Sequence, residues 1–214
     1  MPILLLIRHG ENEFVKKGRM AGRLPGVHLN LRGREQSQAL AQKLSGAPIK
    51  AIYSSPLERA VETAAPIADA LALEIQLREG LLETDIGEWQ GRTWKSLRRL
   101  KIWRTVQSAP SLMQFPGGES FVDSQYRICN EIKAICSQHE PKDLIACVSH
   151  ADPIKLAVAF FIGLPLDNFQ RLMVAPASIT ALHIGENSSQ LINLNFDLSC
   201  ARKRCQIARG RAER

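Results

Sequence analysis

Ile3-Leu4-Leu5-Leu6-Ile7-Arg8-His9-Gly10-Glu11-Asn12 is the stretch that decides the fold. Five apolar residues in succession have strand length, and the lack of polar alternation is what a strand buried on both faces shows. Arg8 and His9 end the run abruptly, so a guanidinium and an imidazole stand at the carboxyl end of that strand. In open α/β sheets this is the edge where ligands bind.

Further strand-length stretches follow at Ile49–Tyr53, Glu74–Leu77, Leu144–Val148, Ile179–Ile184 and Gln190–Leu194. Helical segments lie between them. Residues 31–45 follow Asn30, a good N-cap. Residues 56–72 open with Ser55-Pro56-Leu57-Glu58, which reads as a capping serine, a proline at the first helical position and a glutamate completing a capping box. Helices are also predicted over 92–107, 119–138 and 153–163, the last entered through Asp152-Pro153. Strand and helix alternate, which predicts an α/β layered domain. The longest loop-like segment, Ser108 to Ser120, holds Pro110, Pro116, Gly117 and Gly118, and with the helix before it forms a lobe over 92–120.

A chain of 214 residues favours one core, and 45% hydrophobic with 23% charged residues excludes disordered, collagen-like and disulfide-dense classes. Ile3–Ile7 is the only early apolar run and is too short for a signal-peptide core or a membrane span, so a cytoplasmic protein without a membrane partner is expected. Cys129, Cys136, Cys147, Cys200 and Cys205 are odd in number and form no CxxC pair, which reads as reduced thiols. Of the formal +7 charge, residues 199–214 contribute +5, through Arg202, Lys203, Arg204, Arg209, Arg211 and Arg214 against Glu213. This stretch reads as a mobile, solvated tail; contact with nucleic acid or an acidic partner is the lesser reading, because no aromatic residues interleave the charges.

Polar residues fall where the strands end. Arg8 and His9 follow the first strand, Arg59 lies past the second, Glu83 follows the third, and His150 follows the strand at 144–148. Two arginines and two histidines brought together repel one another unless an anion sits between them, and guanidinium forks match phosphate. A phosphoryl group is the implied ligand. Histidine can serve as a covalent nucleophile, and a carboxyl beside phosphate can act as general acid. Glu83 is the candidate acid, with Asp85 and Glu88 as rivals. Zinc held by His9, His150 and Glu83 is opposed by the neighbouring arginines, so neither a metal nor a cofactor is expected. Arg98, Arg99, Lys101 and Arg104 read first as a solvated helix face and second as contacts to an anionic substrate. Trp89, Trp94 and Trp103 read as packing residues, and His28, His139 and His183 as structural.

Leu6-Ile7-Arg8-His9-Gly10-Glu11-Asn12 resembles the RHG signature of the histidine phosphatase superfamily, the phosphoglycerate-mutase-like proteins. The resemblance extends, in the family's order, through Ser54-Ser55-Pro56-Leu57-Glu58-Arg59-Ala60 with Glu62-Thr63-Ala64, Leu82-Glu83 with Gly87-Glu88-Trp89-Gln90-Gly91, Pro116-Gly117-Gly118-Glu119-Ser120 and Val148-Ser149-His150. It implies that His9 is the phosphorylated histidine, Arg8 and Arg59 the phosphate-binding arginines, His150 the second histidine and Glu83 the proton donor. It also implies that Asn12, Gly22 and the backbone N–H of Ala151 line the phosphate pocket. Val15 stands where many members have Asn, and Ala151 where Gly often follows the second histidine.

The short lobe after Gly91 is more similar to the phosphatase branch than to the cofactor-dependent mutases. The expectation is therefore a three-layer α/β domain over 1–198 with a mixed, mostly parallel sheet flanked by helices. The expected activity is metal-independent hydrolysis of a small phosphorylated metabolite. A phosphoglycerate-type mutase is the first alternative, and a non-catalytic module binding a phosphoryl ligand or a protein is the second. Substrate identity and oligomeric state stay open, a homodimer among the options.

Overall fold

The computed structural model describes residues 2–185 and 188–196. Its strands are β1 (Ile3–Arg8), β2 (Ile49–Ser54), β3 (Ile75–Leu77), β4 (Leu144–Ser149), β5 (Ile179–Ile184) and β6 (Ser189–Phe196). They form one sheet in the order β3-β2-β4-β1-β5-β6. The first four in that order run parallel, and β5 and β6 join antiparallel. The helices are α1 (Glu13–Lys16), α2 (Leu31–Leu44), α3 (Glu58–Leu71), α4 (Trp94–Leu97), α5 (Trp103–Ser108), α6 (Phe121–Cys136) and α7 (Ala151–Phe161).

Successive side chains of a strand point to opposite faces, so the unbroken apolar run of β1 feeds two cores. Leu5 and Ile7 pack with Leu40 and Leu44 of α2 and Ala60, Ala64 and Ile67 of α3. On the other face Leu4 and Leu6 join Ile128, Ile132 and Ile135 of α6 and Ile154 and Val158 of α7. The result is helix, sheet, helix in three layers. β1 and β4 are neighbours, yet the chain leaves β1 for α2 on one face and leaves β4 for α7 on the other. A crevice opens at such a switch point, beyond the carboxyl ends of both strands.

Helix boundaries differ from those read in the sequence, most tellingly at three places. Ser55 does not cap α3: the cap is Leu57, in extended conformation, and Pro56 lies before the helix. The Ser55 hydroxyl is engaged instead with the ring of His150. The segment 92–107 forms two short helices, α4 and α5, with Leu97 buried and Trp103 packed partly buried against the same core. The intervening turn lets Trp103 stack on Trp89 with ring centroids 6.0 Å apart. α7 starts at Ala151, two residues ahead of expectation, with Pro153 in its first turn where no N–H is needed.

Pro66 sits inside α3 and cannot donate to the carbonyl one turn back. Ser37 Oγ of α2 supplies hydrogen bonds there, to Glu62 O at 3.3 Å and Thr63 O at 2.9 Å. Cys129, Cys136 and Cys147 are buried free thiols. Among the described residues no helix is long and apolar enough to cross a membrane. The basic stretch 199–214, with Cys200 and Cys205, lies outside the described residues.

Candidate active site

The parallel register pairs Arg8 with Ser149, so the next residues, His9 and His150, leave the sheet side by side. Their rings are buried with centroids 5.2 Å apart. His9 Nδ1 donates to the carbonyl of Gly10 at 2.7 Å, which leaves Nε2 as the unprotonated nitrogen of the neutral ring. Arg59 Nε points at that lone pair from 3.3 Å. Burial, then the positive charges of Arg59 and Arg8, hold the His9 pKa well below its ordinary value. A neutral imidazole with a directed lone pair is a nucleophile.

His150 Nε2 lies 2.8 Å from Ser55 Oγ. That oxygen accepts the Leu57 N–H at 3.4 Å, so its own hydrogen is free for Nε2, and the neutral His150 ring then carries its proton on Nδ1. Burial first, then Arg59, keeps His150 uncharged as well.

Arg59 is 1% exposed and stands in the first turn of α3. Its Nη2 donates to Gly22 O at 2.7 Å. Gly22 has φ +55°, and a Cβ there would meet Gln90 Cγ at 2.7 Å, so only glycine brings this carbonyl to the guanidinium. Burial pushes the Arg59 pKa down to about 10, which still leaves it charged at neutral pH. Arg8 Nη1 donates to Val174 O at 2.7 Å. Asn12 caps α1, its Oδ1 accepting from Val15 N at 2.9 Å.

After these bonds are made, four buried donors of this site have no partner among the described residues: Arg8 Nε, Asn12 Nδ2, Arg59 Nη1 and His150 Nδ1. Each such group costs roughly 1–3 kcal/mol while it stays unpaired. Arg8, Asn12 and Arg59 line one cavity of about 370 Å³ together with His9, Gly22 and Ala151. Ala151 opens α7, so the free N–H groups of a helix start reach the same space. The donor set fits an anion with several acceptor oxygens.

The structure also separates the three candidate acids. Glu83 lines the cavity. Asp85 accepts the Gly87 N–H at 3.0 Å, away from it, and Glu88 is exposed. Burial, then the neighbouring Asp152, pushes the Glu83 carboxyl up to about 7, against the pull of Arg59 and Arg8.

Some cavity residues were not anticipated from the sequence. Arg19, Trp94, Asp152, Lys155, Gln170 and Arg171 all line it. By contrast Arg98, Arg99, Lys101 and Arg104 are exposed and absent from its walls, so they form the solvated face and not the substrate contacts. Trp89 and Trp103 pack as expected, whereas Trp94 packs on Trp103 and also faces the cavity. His28 and His139 bond elsewhere, to Glu62 and Tyr53.

Comparison with known proteins finds relatives along nearly the whole chain. A phosphoserine phosphatase of Hydrogenobacter thermophilus is 31% identical over 195 residues, covering 90% of this chain and 92% of its own length. A 2,3-bisphosphoglycerate-dependent phosphoglycerate mutase of Thermoplasma acidophilum is 28% identical, with 86% and 88% covered. The structure of a mycobacterial glucosyl-3-phosphoglycerate phosphatase in complex with VO3 superposes with a TM-score of 0.83 at 28% identity, covering 91% of this chain and 99% of that one. Residues 4–197 match the family described as the histidine phosphatase superfamily (branch 1), and the chain belongs to it as an enzyme of that superfamily.

Proposed function

We propose that the protein hydrolyses phosphoric monoesters of small metabolites through a phosphohistidine at His9, without a metal ion. The observation that carries this reading is the ring of unpaired buried donors around a neutral His9 whose unprotonated Nε2 is aligned by Arg59 Nε at 3.3 Å. Arg8, Arg59, Asn12 and His150 hold the equatorial phosphoryl oxygens with the Ala151 N–H, and Gly22 fixes Arg59. His9 Nε2 forms the N–P bond as the ester P–O bond breaks. Glu83, protonated near neutral pH, gives its proton to the leaving oxygen. The resulting carboxylate then takes a proton from the water that attacks phosphorus, releasing inorganic phosphate and free His9. Phosphatases among the relatives, named for phosphoserine and glucosyl-3-phosphoglycerate, support a small phosphorylated metabolite as substrate.

The mutase among the relatives favours a second reading, in which the phosphoryl group returns to another hydroxyl of the substrate. One experiment separates the two. Phosphate release from a panel of phosphomonoesters including 3-phosphoglycerate is measured with and without EDTA, for wild type and His9→Ala. Release that resists EDTA, is lost in His9→Ala and passes through an acid-labile phosphoprotein supports hydrolysis. Isomerised phosphoglycerate without free phosphate supports the mutase, and undiminished turnover by His9→Ala refutes both.

A further inference from the structure

Arg8 owes its setting to the segment that precedes β5. Its Nη1 donates to Val174 O at 2.7 Å, while Nε is one of the unpaired donors of the site. Its main chain is bound to the same segment: the Arg8 N–H donates to Ser178 O at 3.1 Å, and the Ala177 N–H is shared between Arg8 O and His9 O, each at 3.1 Å. Ala175 to Ser178 form a tight turn closed by the Ser178 N–H on Ala175 O at 3.1 Å. Pro176 suits the second position of such a turn, and the third takes the positive φ that glycine usually supplies. Ala177 adopts it at +56°, a conformation that its Cβ disfavours and that persists only where the surroundings hold it.

Part of that hold comes from the edge of the sheet. Ile179 pairs with Phe196 and Ala181 with Asn193, so Thr180 alone faces two residues of β6, Leu194 and Asn195. This is a β-bulge, a device that re-aims a side chain out of the ladder. Asn195 has φ +56°, which asparagine tolerates, and its N–H is held by Thr180 Oγ1 at 3.2 Å. Its Oδ1 accepts the Ala175 N–H at 2.6 Å. That N–H and the Val174 carbonyl belong to one planar trans peptide, in which the two groups point in opposite directions. Asn195 therefore grips one side of the plane whose other side holds Arg8, and a bond at the N–H also polarises the carbonyl as an acceptor.

We propose that Asn195 is a positioning residue for Arg8: through the Val174–Ala175 peptide it fixes the acceptor that aims the guanidinium at the phosphoryl group, without touching substrate itself. This rests on the phosphatase reading, in which Arg8 binds the phosphoryl oxygens, and adds to it a residue on the edge strand of the sheet. Asparagine meets two demands at once here, an acceptor oxygen and a left-handed backbone. Aspartate shares both, and glycine keeps only the second.

Variants at Asn195 separate the acceptor from the backbone. The full chain is assayed as wild type, Asn195→Gly and Asn195→Asp for kcat/KM on phenyl phosphate, for inhibition by orthovanadate as a mimic of the phosphoryl group in transfer, and by thermal melts. Asn195→Gly is expected to lose about tenfold in kcat/KM and to weaken orthovanadate inhibition by a similar factor, since transition-state binding depends on donor placement. Asn195→Asp stays within about threefold of wild type in both. Ala177→Gly relieves the turn, so Asn195→Gly/Ala177→Gly recovers part of any melting temperature lost but not the turnover. That double variant is the one assayed should Asn195→Gly fail to fold. A purely structural role predicts otherwise: turnover and orthovanadate inhibition unchanged in folded Asn195→Gly, or turnover restored along with the melt in the double variant. Either result, or a loss that Asn195→Asp shares in full, overturns the inference while wild-type turnover of phenyl phosphate keeps the phosphatase reading intact. Wild type that releases no phosphate from phenyl phosphate removes that reading and the inference with it.

Discussion

Arg127 Nη2 donates to Glu119 Oε1 at 2.7 Å, and through this pair α6 grips the segment that carries Glu83. Arg127 Nη1 also donates to the carbonyls of Gly80 and Leu82, at 2.8 and 2.9 Å. Glu119 Oε1 accepts the Asp85 N–H at 2.9 Å and Arg23 Nη2 at 3.1 Å, while Arg23 Nε reaches Glu83 O at 2.8 Å. The backbone on both sides of the candidate acid is thus held by two guanidiniums sharing one carboxylate. Burial works against ionisation of Glu119, but the bonds and charge of Arg127 outweigh it and hold that carboxyl below its ordinary range.

Arg127→Met removes the donors to both carbonyls and leaves Glu119 dependent on Arg23. Breaking one side of a largely buried ion pair typically costs about 3 kcal/mol, and urea denaturation should show a loss of that order. The kinetic effect should concentrate on proton donation. Alkyl phosphates are expected to lose about 10- to 100-fold in kcat, against about threefold for p-nitrophenyl phosphate, whose leaving oxygen needs no proton. Equal losses on both ester types would leave Arg127 with a purely structural role.

Gly10 and Gly33 are demanded by space and not by backbone angle, since neither has a positive φ. A Cβ on Gly33 would stand 2.0 Å from Glu11 O, and one on Gly10 would stand 2.6 Å from Gly33 O. Gly33→Ala must push the first turn of α2 off the loop after β1, at an overpacking cost of about 1–3 kcal/mol. The same loop holds Gly10 O, the partner of His9 Nδ1, so kcat should fall with stability. A melt unchanged from wild type would show that the loop yields without strain.

The convergence of Arg8, His9, Arg59 and His150 was legible because each follows a strand, and parallel strands bring their carboxyl ends to one edge. Asp85 and Glu88 could not be set aside from sequence, because facing in an irregular segment depends on bonds such as Asp85 Oδ1 to Gly87 N. Lys155, Gln170 and Arg171 escaped for a related reason: their direction follows from packing of α7 against the 3-10 turn Leu166–Arg171. The i, i+3 spacing of Asp152 and Lys155 was the one local signal, and it reads equally as a surface ion pair. Ser55 shows the opposite error, where correct capping chemistry at a helix start was overridden by a tertiary partner, His150.

Activity and stability should both respond to the titration of Glu83, in ways whose sign is fixed. Its carboxyl is raised from 4.5 to about 7, whereas His9 and His150 are lowered from 6.5. Catalysis as proposed needs Glu83 protonated and His9 neutral, so kcat/KM for alkyl phosphates should fall about tenfold per pH unit above about 7. Protonation of the histidines is displaced downward and sets the acid limb below their ordinary range. Glu83→Gln should lower kcat/KM for alkyl esters by about 10²–10⁴ and remove the basic limb, while kcat/KM for aryl phosphates, which reports phosphorylation of His9 alone, is largely spared. For folding, a raised carboxyl means that the native state holds the extra proton between 4.5 and about 7. The contribution of Glu83 is therefore fully present below the unfolded value and is lost as pH rises through the folded one. Gln carries no such slope, so the stability of Glu83→Gln relative to wild type should improve between about pH 5 and about pH 8 in urea denaturation. An alkyl-ester rate that stays flat through this range in wild type would remove Glu83 from the role of proton donor.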